Sequence, residues 1–285
     1  MLMQQTIKNC ISVVGKGLHS GKDVKLTMLP APENTGIVFR RSDLSPVVSI
    51  QVNPDKIQET MLCTMLVDNK VKVATIEHVL SALSALEIDN IYLELNAEEV
   101  PILDGSAAPY IFLVQSAGIV AQSAPRKYLR IKKTIRVEQD DKFVELSPHM
   151  GFHLKVSIDF SHPAIANTPK EVEFEFSAMG YIKEVARART FGFASQLDQL
   201  HSQGLALGAS LDNAVGIDDT GVINEDGLRF PDEFVKHKLL DAIGDLYSVG
   251  AIQGSYIGYK PSHALNNRLL RKLLADCDAW EYIQA

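Results

Sequence analysis

Residues 232–250 read DEFVKHKLLDAIGDLYSVG, and the rest of the chain is organised around this stretch. At about 100° per residue, one broad arc of a helix collects the apolar side chains Val235, Leu239, Leu240, Ala242, Ile243, Leu246 and Tyr247. The opposite arc carries His237, Asp241, Gly244, Asp245 and Ser248. The pattern predicts one amphipathic helix over 232–250.

The polar arc of this helix contains a candidate metal face. His237 and Asp241 stand four residues apart, so their side chains lie on one face, and Asp245 repeats the spacing. Stacked carboxylates cost a helix about 0.2–0.5 kcal/mol, and a cation between the carboxylates and the imidazole reverses that sign. A solvated polar face is the alternative interpretation, and the helix alone leaves both open.

Composition and net charge narrow the classes of protein. With 285 residues, 46% of them hydrophobic, the chain is long enough for two globular domains. The net charge of -7 lacks the excess of Lys and Arg that neutralises phosphates, so we expect no nucleic-acid partner. No apolar run has the length that a bilayer requires, and we expect neither a signal peptide nor a membrane span.

The cysteines bear on the compartment and on metal ligation. Cys10, Cys63 and Cys277 are odd in number and form no CxxC pair, which favours a reducing cytoplasm and argues against a thiolate zinc site. Any metal site must therefore use histidine and carboxylate donors. We also expect the chain to act as a monomer.

The first half of the chain predicts strands followed by two helices. Residues 4–29 alternate around the turn GKGLHSG (15–21) and predict a hairpin. Because strand-like sequence follows these glycines, a dinucleotide-binding loop is rejected, and His19 is interpreted as structural, with a position facing a cleft as the alternative. Short strands are expected over 36–74, and Thr75 is the predicted N-cap of the helix TIEHVLSALSALEI. A strand NIYLELN, a second helix YIFLVQSAGIV and the linker QSAP at 122–125 follow.

After the linker the pattern restarts. Strands are predicted in KYLRIKKTIRVEQ, KFVELSP and FHLKVSIDF. A helical, apolar-rich section, FASQLDQLHSQGLALG, is entered through Arg189-Thr190-Phe191. The helix at 232–250, a strand GSYIGYK, a turn PSHALNN and a final helix NRLLRKLLADC complete the chain.

The two halves share one order of elements, which indicates a weak internal duplication. We therefore predict an α+β fold of two similar two-layer domains, residues 1–122 and 126–285, each a sheet packed on two helices, with a helical insert near 190–216. His78 and His237 hold comparable places in the repeat. Packing the two helix layers together would bring both histidines to one cleft, so the active site is expected between the helix layers.

The residues gathered in this way predict a hydrolytic metal site. His78, His237 and Asp241 are a suitable set of three protein ligands for catalytic Zn²⁺, which keeps its fourth position open for water. Metal binding would lower the pKa of that water toward about 7. Glu77, beside His78 in the first turn of its helix, is placed to act as the general base.

The leaving nitrogen of an amide needs a proton, and His263 in the turn PSHALNN is the best candidate for the general acid. Asp245 could orient His263 or Asp241, and Thr190 could help to stabilise a tetrahedral oxyanion. For Thr190 and Asp245, ordinary hydrogen bonding is an equal alternative.

The sequence resembles the family of UDP-3-O-acyl-N-acetylglucosamine deacetylases of lipid A biosynthesis. The stretches that carry the resemblance run in order through nearly the whole chain and are GKGLHSG (15–21), TIEHVLSAL (75–83), PILDGSA (101–107), RARTFGF (187–193), VINEDGL (222–228), FVKHKLLDAIGDL (234–246) and HALNN (263–267). The resemblance implies a zinc-dependent, cytoplasmic hydrolase that removes acetate from the nitrogen of a UDP-linked, 3-O-acylated glucosamine. It also implies two similar α/β domains, each with an inserted element.

Position by position, the resemblance implies the same residues and adds others. It puts the zinc ligands on His78, His237 and Asp241, and the base on Glu77. The second catalytic histidine falls on His263, the threonine that assists the oxyanion on Thr190, and the supporting aspartate on Asp245. The implied substrate contacts are Lys238, Phe191, Lys142, Phe160, Lys260, Leu18 and Leu197, of which Lys142, Phe160 and Lys260 would contact the UDP portion. Residues 190–216 look like the passage for the acyl chain, with simple core packing as the alternative for Leu197 and Leu205.

Some questions stay open at this point. Small residues at Ala194, Ala206 and Gly216 leave the preferred acyl length open, and Ser262 stands where we expect Gly before the second catalytic histidine. The donor set accepts iron as well as zinc. A zinc peptidase or other amidohydrolase and a non-catalytic binding protein with a structural zinc are the alternative functions.

Overall fold

A computed structural model of the chain describes residues 2–58 and 62–284. The first residues of the expected strand TMLCTMLVDNKVKVA, and the outer ends of the two expected domains at residues 1 and 285, lie outside the described residues. The N-terminal half contains ten strands and two α-helices among its described residues: β1 (Met3–Ile7), β2 (Ile11–Lys16), β3 (Asp23–Pro30), β4 (Ile37–Arg41), β5 (Val48–Gln51), β6 (Ile57–Gln58), β7 (Met65–Asp68), β8 (Val71–Val73), α1 (Glu77–Ala85), β9 (Ile91–Leu95), α2 (Ala108–Ala117) and β10 (Ile119–Pro125).

Five of these strands form the main sheet of the N-terminal half, in the order β2-β3-β9-β4-β5. Strands β4 and β9 are parallel and the other neighbours are antiparallel. On β3 the apolar residues Val24, Leu26 and Met28 are buried and alternate with more exposed positions, as period-two patterning requires. Every residue of α1 is buried, because this helix lies inside the core and also contacts the other half.

The C-terminal half repeats the two-layer arrangement. Its elements are β11 (Lys127–Ile131), β12 (Ile135–Gln139), β13 (Lys142–Ser147), β14 (Phe152–Ser157), α3 (Pro163–Ala166), β15 (Glu171–Glu175), α4 (Ala178–Glu184), β16 (Phe191–Phe193), α5 (Leu197–Ser202), β17 (Val215–Asp218), β18 (Gly221–Val222), α6 (Glu233–Leu246), β19 (Ile252–Tyr259), α7 (His263–Ala275) and β20 (Trp280–Gln284). Its seven-stranded sheet is built around β19, which pairs with β11, β13 and β14, and α6 and α7 pack on it. Two sheets with their own helix pairs confirm the predicted α+β class.

The two halves meet where α1 packs against α6. Gly244 makes the approach close, because a Cβ at this position would overlap the carbonyl oxygen of Glu77. The hydroxyl of Ser81 on α1 donates to the carbonyl oxygen of Leu240 on α6 at 2.8 Å. The helix layers therefore face each other, as the duplication predicted, and the first turn of α1 lies against the polar arc of α6.

Several predicted boundaries are wrong. The helix expected over 232–250 ends at Leu246 and continues as a 3₁₀ turn, Tyr247–Val249, which Gly250 terminates at a φ of 83°. Thr75 is not the N-cap of α1. It has a φ of 60°, its hydroxyl donates to Glu99 Oε1, and the helix begins at Glu77 without a side-chain cap.

The expected linker is part of a strand. Gly118, at a φ of 76°, ends α2 at Ala117, and Ile119–Pro125 then pairs antiparallel with β1. The predicted hairpin over 4–29 is therefore only the β2–β3 pair, because the partner of β1 lies more than 100 residues away. The division into domains at 122 and 126 stays a prediction.

The expected turn PSHALNN is mostly helix, because the Ser262 hydroxyl accepts from the Leu265 amide at 3.3 Å and caps α7, which begins at His263. The section at 190–216 is only partly helical: strand β16, a 3₁₀ turn and the short α5 precede a run of turns. Strands β15, β17, β18 and β20 were not predicted. Among the described residues, no helix combines the length and apolar character needed to cross a membrane.

Candidate active site

The first turn of α1 and the polar arc of α6 bring His78, His237 and Asp241 together. One donor atom from each lies within 4.8 Å of the others, and all three residues are buried. Asp241 Oδ1 is 3.3 Å from His237 Nε2 and 3.5 Å from His78 Nε2. The i,i+4 spacing on α6 thus supplies two donors, and the helix packing supplies the third.

His237 is oriented for ligation. Its Nδ1–H donates to the carbonyl oxygen of Ala188 at 3.1 Å, which turns an unprotonated Nε2 toward Asp241. Burial lowers the pKa of His237 to about 3, against the attraction of Asp241, so the imidazole is neutral at pH 7. A neutral imidazole is the form that binds a metal.

Asp241 presents one oxygen toward the histidines and one toward a lysine. Its Oδ2 accepts from Lys238 Nζ at 2.9 Å, whereas its buried Oδ1 has no hydrogen-bond partner among the described residues. Burial disfavours the carboxylate charge, but the neighbouring imidazoles and Lys238 outweigh it and hold the pKa of Asp241 well below its usual range. A buried anionic oxygen facing an unprotonated nitrogen fits an intervening cation.

Glu77 lies beside this group with a different electrostatic environment. Its Oε2 accepts from the backbone N–H of Thr64 at 2.9 Å. Burial raises the pKa of Glu77, and the attraction of His263 and His78 only partly offsets that shift. A carboxylate with a raised pKa is better suited to accept a proton than an ordinary glutamate.

His263, which is partly buried, forms a pair with the buried Asp245. His263 Nδ1 is 2.9 Å from Asp245 Oδ2, so of the two partners considered for Asp245 the structure shows contact with His263. Burial opposes the charge of His263, but Asp245, through charge and hydrogen bond, and the carboxylates of Glu77 and Asp241 raise its pKa to about 9. His263 is therefore protonated at neutral pH and can donate a proton through Nε2.

Of these groups, Asp241, Asp245 and His263 line a cavity of about 370 Å³. The same cavity is lined by several residues that sequence reasoning assigned to substrate: Leu18, Phe160, Thr190, Phe191, Leu197 and Lys238. Phe191 and Phe160 meet edge to face with ring centroids 5.6 Å apart, and the Lys238 ammonium lies 5.5 Å from the Phe191 ring centroid. Polar side chains such as Asp241 and His263 and apolar side chains such as Leu18 and Leu197 line the same cavity. One molecule with a polar and an apolar part can therefore occupy it.

Two proposed contacts lie elsewhere. Lys142 is exposed at the start of β13 and is not part of the cavity wall. Lys260, also outside the wall, precedes Pro261 and Ser262 and forms an ion pair with Asp159 at 2.9 Å. The structure thus gives no contact between these lysines and the metal group, and their role toward UDP stays a prediction.

Sequence reasoning missed several buried groups around the site. The Thr64 hydroxyl donates to Asp245 Oδ1, and Asn266 Nδ2 donates to Asp245 Oδ2 at 2.8 Å. His19, interpreted as structural, lines the cavity, and its buried Nε2 has no hydrogen-bond partner among the described residues. Helical spacing could have indicated Asn266, three positions after His263, but no pattern in the sequence singles out Thr64.

The chain is similar to proteins of one family over nearly its whole length. The family model described as UDP-3-O-acyl N-acetylglycosamine deacetylase matches residues 4–275. A UDP-3-O-acyl-N-acetylglucosamine deacetylase of Legionella pneumophila (strain Corby) is 56% identical over 283 residues, which cover 99% of this chain and 93% of the relative. Proteins of the same name from Thioalkalivibrio sulfidiphilus and Pseudomonas entomophila are each 53% identical over 284 residues, covering 99% of this chain and 93% and 94% of the relatives.

Proposed function

The chain belongs to the family of UDP-3-O-acyl-N-acetylglucosamine deacetylases, and from this membership we propose that it is a zinc-dependent amidohydrolase of lipid A biosynthesis. Its substrate is a UDP-linked, 3-O-acylated N-acetylglucosamine, and its products are acetate and the free amine. The observation that carries the proposal is the group of three metal donors, one of which, Asp241, lines the same cavity as His263. We also propose that it works as a monomer in the cytoplasm.

The donor set fits a catalytic zinc ion. His78, His237 and Asp241 supply two imidazoles and a carboxylate, and the unpartnered Asp241 Oδ1 is the oxygen that a cation would neutralise. A structural zinc is closed by four protein ligands, and the group found among residues 2–58 and 62–284 has three. This composition supports catalysis over the alternative of a binding protein. When bound, zinc would polarise the attacking water and the amide carbonyl.

The protein's own groups move the protons. Glu77 takes a proton from the attacking water as the water oxygen forms a bond to the acetyl carbon. His263 gives its Nε2 proton to the sugar nitrogen as the carbon–nitrogen bond breaks, because Nδ1 is engaged by Asp245. Thr190, in the cavity wall, donates its hydroxyl to the carbonyl oxygen as negative charge develops there.

The cavity suits an acylated nucleotide sugar. Lys238 provides a cation at the polar end, and Phe191, Leu18 and Leu197 provide apolar surface along the wall. We propose that the acyl chain lies along this wall and that Phe160, Lys142 and Lys260 contact the UDP portion. An apolar wall paired with Lys238, Lys142 and Lys260 suits an acylated diphosphate better than the peptide substrate of a zinc peptidase.

Acetate release from the acylated UDP-sugar, measured beside release of amino acids from a panel of peptides, tests the proposal. We expect acetate release from the nucleotide sugar alone. Cleavage of peptides without acetate release would support the peptidase, and binding of the sugar with no release of either kind would support a binding protein. Metal analysis of the active protein distinguishes zinc from iron, because both accept this donor set.

A further inference from the structure

We propose that Thr64 is a positioning residue that aligns the general base and the general acid across the two halves of the molecule. The inference rests on the proposed deacetylase function, because it assigns Thr64 to the same reaction. Thr64 itself is neither one of the metal donors nor one of the residues that line the cavity. It acts through the carboxylates of Glu77 and Asp245.

Each polar group of Thr64, namely its backbone N–H, its hydroxyl and its carbonyl oxygen, forms a hydrogen bond. Its backbone N–H donates to Glu77 Oε2 at 2.9 Å, and its hydroxyl donates to Asp245 Oδ1 at 2.5 Å. Its carbonyl oxygen accepts from the amide of Ile76, the residue before Glu77, at 3.3 Å. The residue is 2% exposed, so these bonds form where water does not compete.

The position of Thr64 makes these contacts a link between halves. It directly precedes β7 in the N-terminal half, whereas Asp245 lies on α6 in the other half, 181 residues further along the chain. The α1 helix has no side-chain cap, and two bonds with Thr64 hold its first turn: the Ile76 amide donates to the Thr64 carbonyl oxygen, and the Thr64 amide donates to the Glu77 carboxylate. One residue thus holds the base on α1 and reaches across to the carboxylate on α6.

Asp245 needs such a partner to orient His263. Its Oδ2 accepts from His263 Nδ1 at 2.9 Å and from Asn266 Nδ2 at 2.8 Å. The amide of Asn266 is itself fixed, because its Oδ1 accepts from the Tyr256 hydroxyl at 2.6 Å. The Thr64 hydroxyl donates to Oδ1, which also lies 3.1 Å from His263 Nδ1. This bond helps to hold the plane of the carboxylate, and with it the direction of the His263 ring.

Thr64→Val and Thr64→Ser test the inference in the full-length holoenzyme. Valine keeps the backbone N–H and the shape but lacks the hydroxyl, and serine restores it. We expect kcat of acetate release to fall by about 10–100-fold in Thr64→Val, the range typical of residues that orient a ligand or catalytic group. KM should stay unchanged, because the lost contact orients the acid and does not bind substrate. Thr64→Ser should recover most of the lost turnover.

A matched control separates positioning from stability. Thr6 is also buried, and its Oγ1 accepts from the Ala31 amide at 3.1 Å, away from the cavity, so Thr6→Val should lower the melting temperature and leave kcat unchanged. Metal content and melting temperature are measured for each variant. If Thr64→Val does not fold, Thr64→Ala takes its place in the same comparison.

Each outcome decides the question. An unchanged kcat in Thr64→Val, or equal losses in Thr64→Val and Thr64→Ser, overturns the positioning role, because the hydroxyl would then not be the acting group. A loss of kcat that serine rescues supports it. If the unmodified protein releases no acetate, the proposed function fails, and that result is distinct from an active enzyme that is indifferent to Thr64.

Discussion

Helices α1 and α6 hold equivalent places in the two halves, yet they carry unequal shares of the candidate site. The nine residues of α1 supply Glu77 and His78 from its first turn only. The fourteen residues of α6 supply His237, Asp241 and Asp245 from one arc that extends over more than two turns. Neither helix alone carries all three metal donors, and the proposed proton donor, His263, lies on α7.

The difference shows that the site forms only where the two helices pack against each other, because each helix supplies part of it. The α6 helix supplies His237 and Asp241, and α1 adds His78 where Gly244 lets the two backbones approach closely. A duplicated fold supplies such an interface between its two helix layers. In this chain one helix supplies the base and one ligand, and the other supplies two ligands.

The largest expected effect comes from comparing one carboxylate on each helix. Glu77→Gln should keep the metal and lose about 10²–10⁴-fold in kcat, because the amide cannot accept the proton from water. Asp241→Asn should lose the metal as well, because the neutral amide is a poorer ligand. Metal content and acetate release, measured on the same samples, check both variants. Loss of metal from Glu77→Gln would make Glu77 a ligand and contradict the assignment.

The next largest effect is expected from a substitution that pushes α1 and α6 apart. Gly244→Ala would place a Cβ against the Glu77 backbone, and overpacking of this kind costs about 1–3 kcal/mol of unfolding free energy. We also expect kcat to fall, because the first turn of α1 must move away from α6.

Gly192→Ala is the stability control, since a Cβ there meets nothing within 4 Å. Denaturant unfolding of the two variants and of the unmodified protein measures the difference. Equal unfolding free energies for all three would show that α1 and α6 do not need the glycine.

The smallest expected effect is the change of activity with pH, which reports on the two groups that transfer protons. Activity should fall as the pH drops through the raised pKa of Glu77, because the base must be ionised. Activity should also fall by about tenfold per pH unit above the His263 pKa of about 9, because the acid must be protonated. The residual activity of His263→Ala should lack this alkaline limb. An unchanged limb in that variant would assign the acid to another residue.

The sequence predicted the polar arc of α6 well, because helical spacing alone places His237, Asp241 and Asp245 on one side. His78 and Glu77 followed from the repeated order of elements, and the family resemblance agreed with both. The packing of the two helix layers that brings these residues together was inferred correctly. The sequence did not predict that the missing Cβ of Gly244 permits this close packing, because periodicity carries no information on which neighbour a glycine will meet.

Other features depend on contacts between distant parts of the chain. Residues 122–125 look like a linker because they are small and polar, but their partner is β1, and strand pairing at that distance leaves no local signal. Thr64 precedes a short strand and becomes important only when α1 and α6 are in place. The passage at 190–216 was expected to be helical, whereas much of it is held as turns by contacts such as those from the Leu207 and Gly208 amides to the carbonyl oxygens of His19 and Leu18.

The central claim, that α1 and α6 together hold one catalytic metal ion, is tested most directly by removing that ion. Acetate release and metal content are measured before chelation, after chelation and after zinc is restored. We predict that activity and metal content fall together and return together, with one ion bound per chain. Full acetate release from a chain that holds no metal would contradict the account.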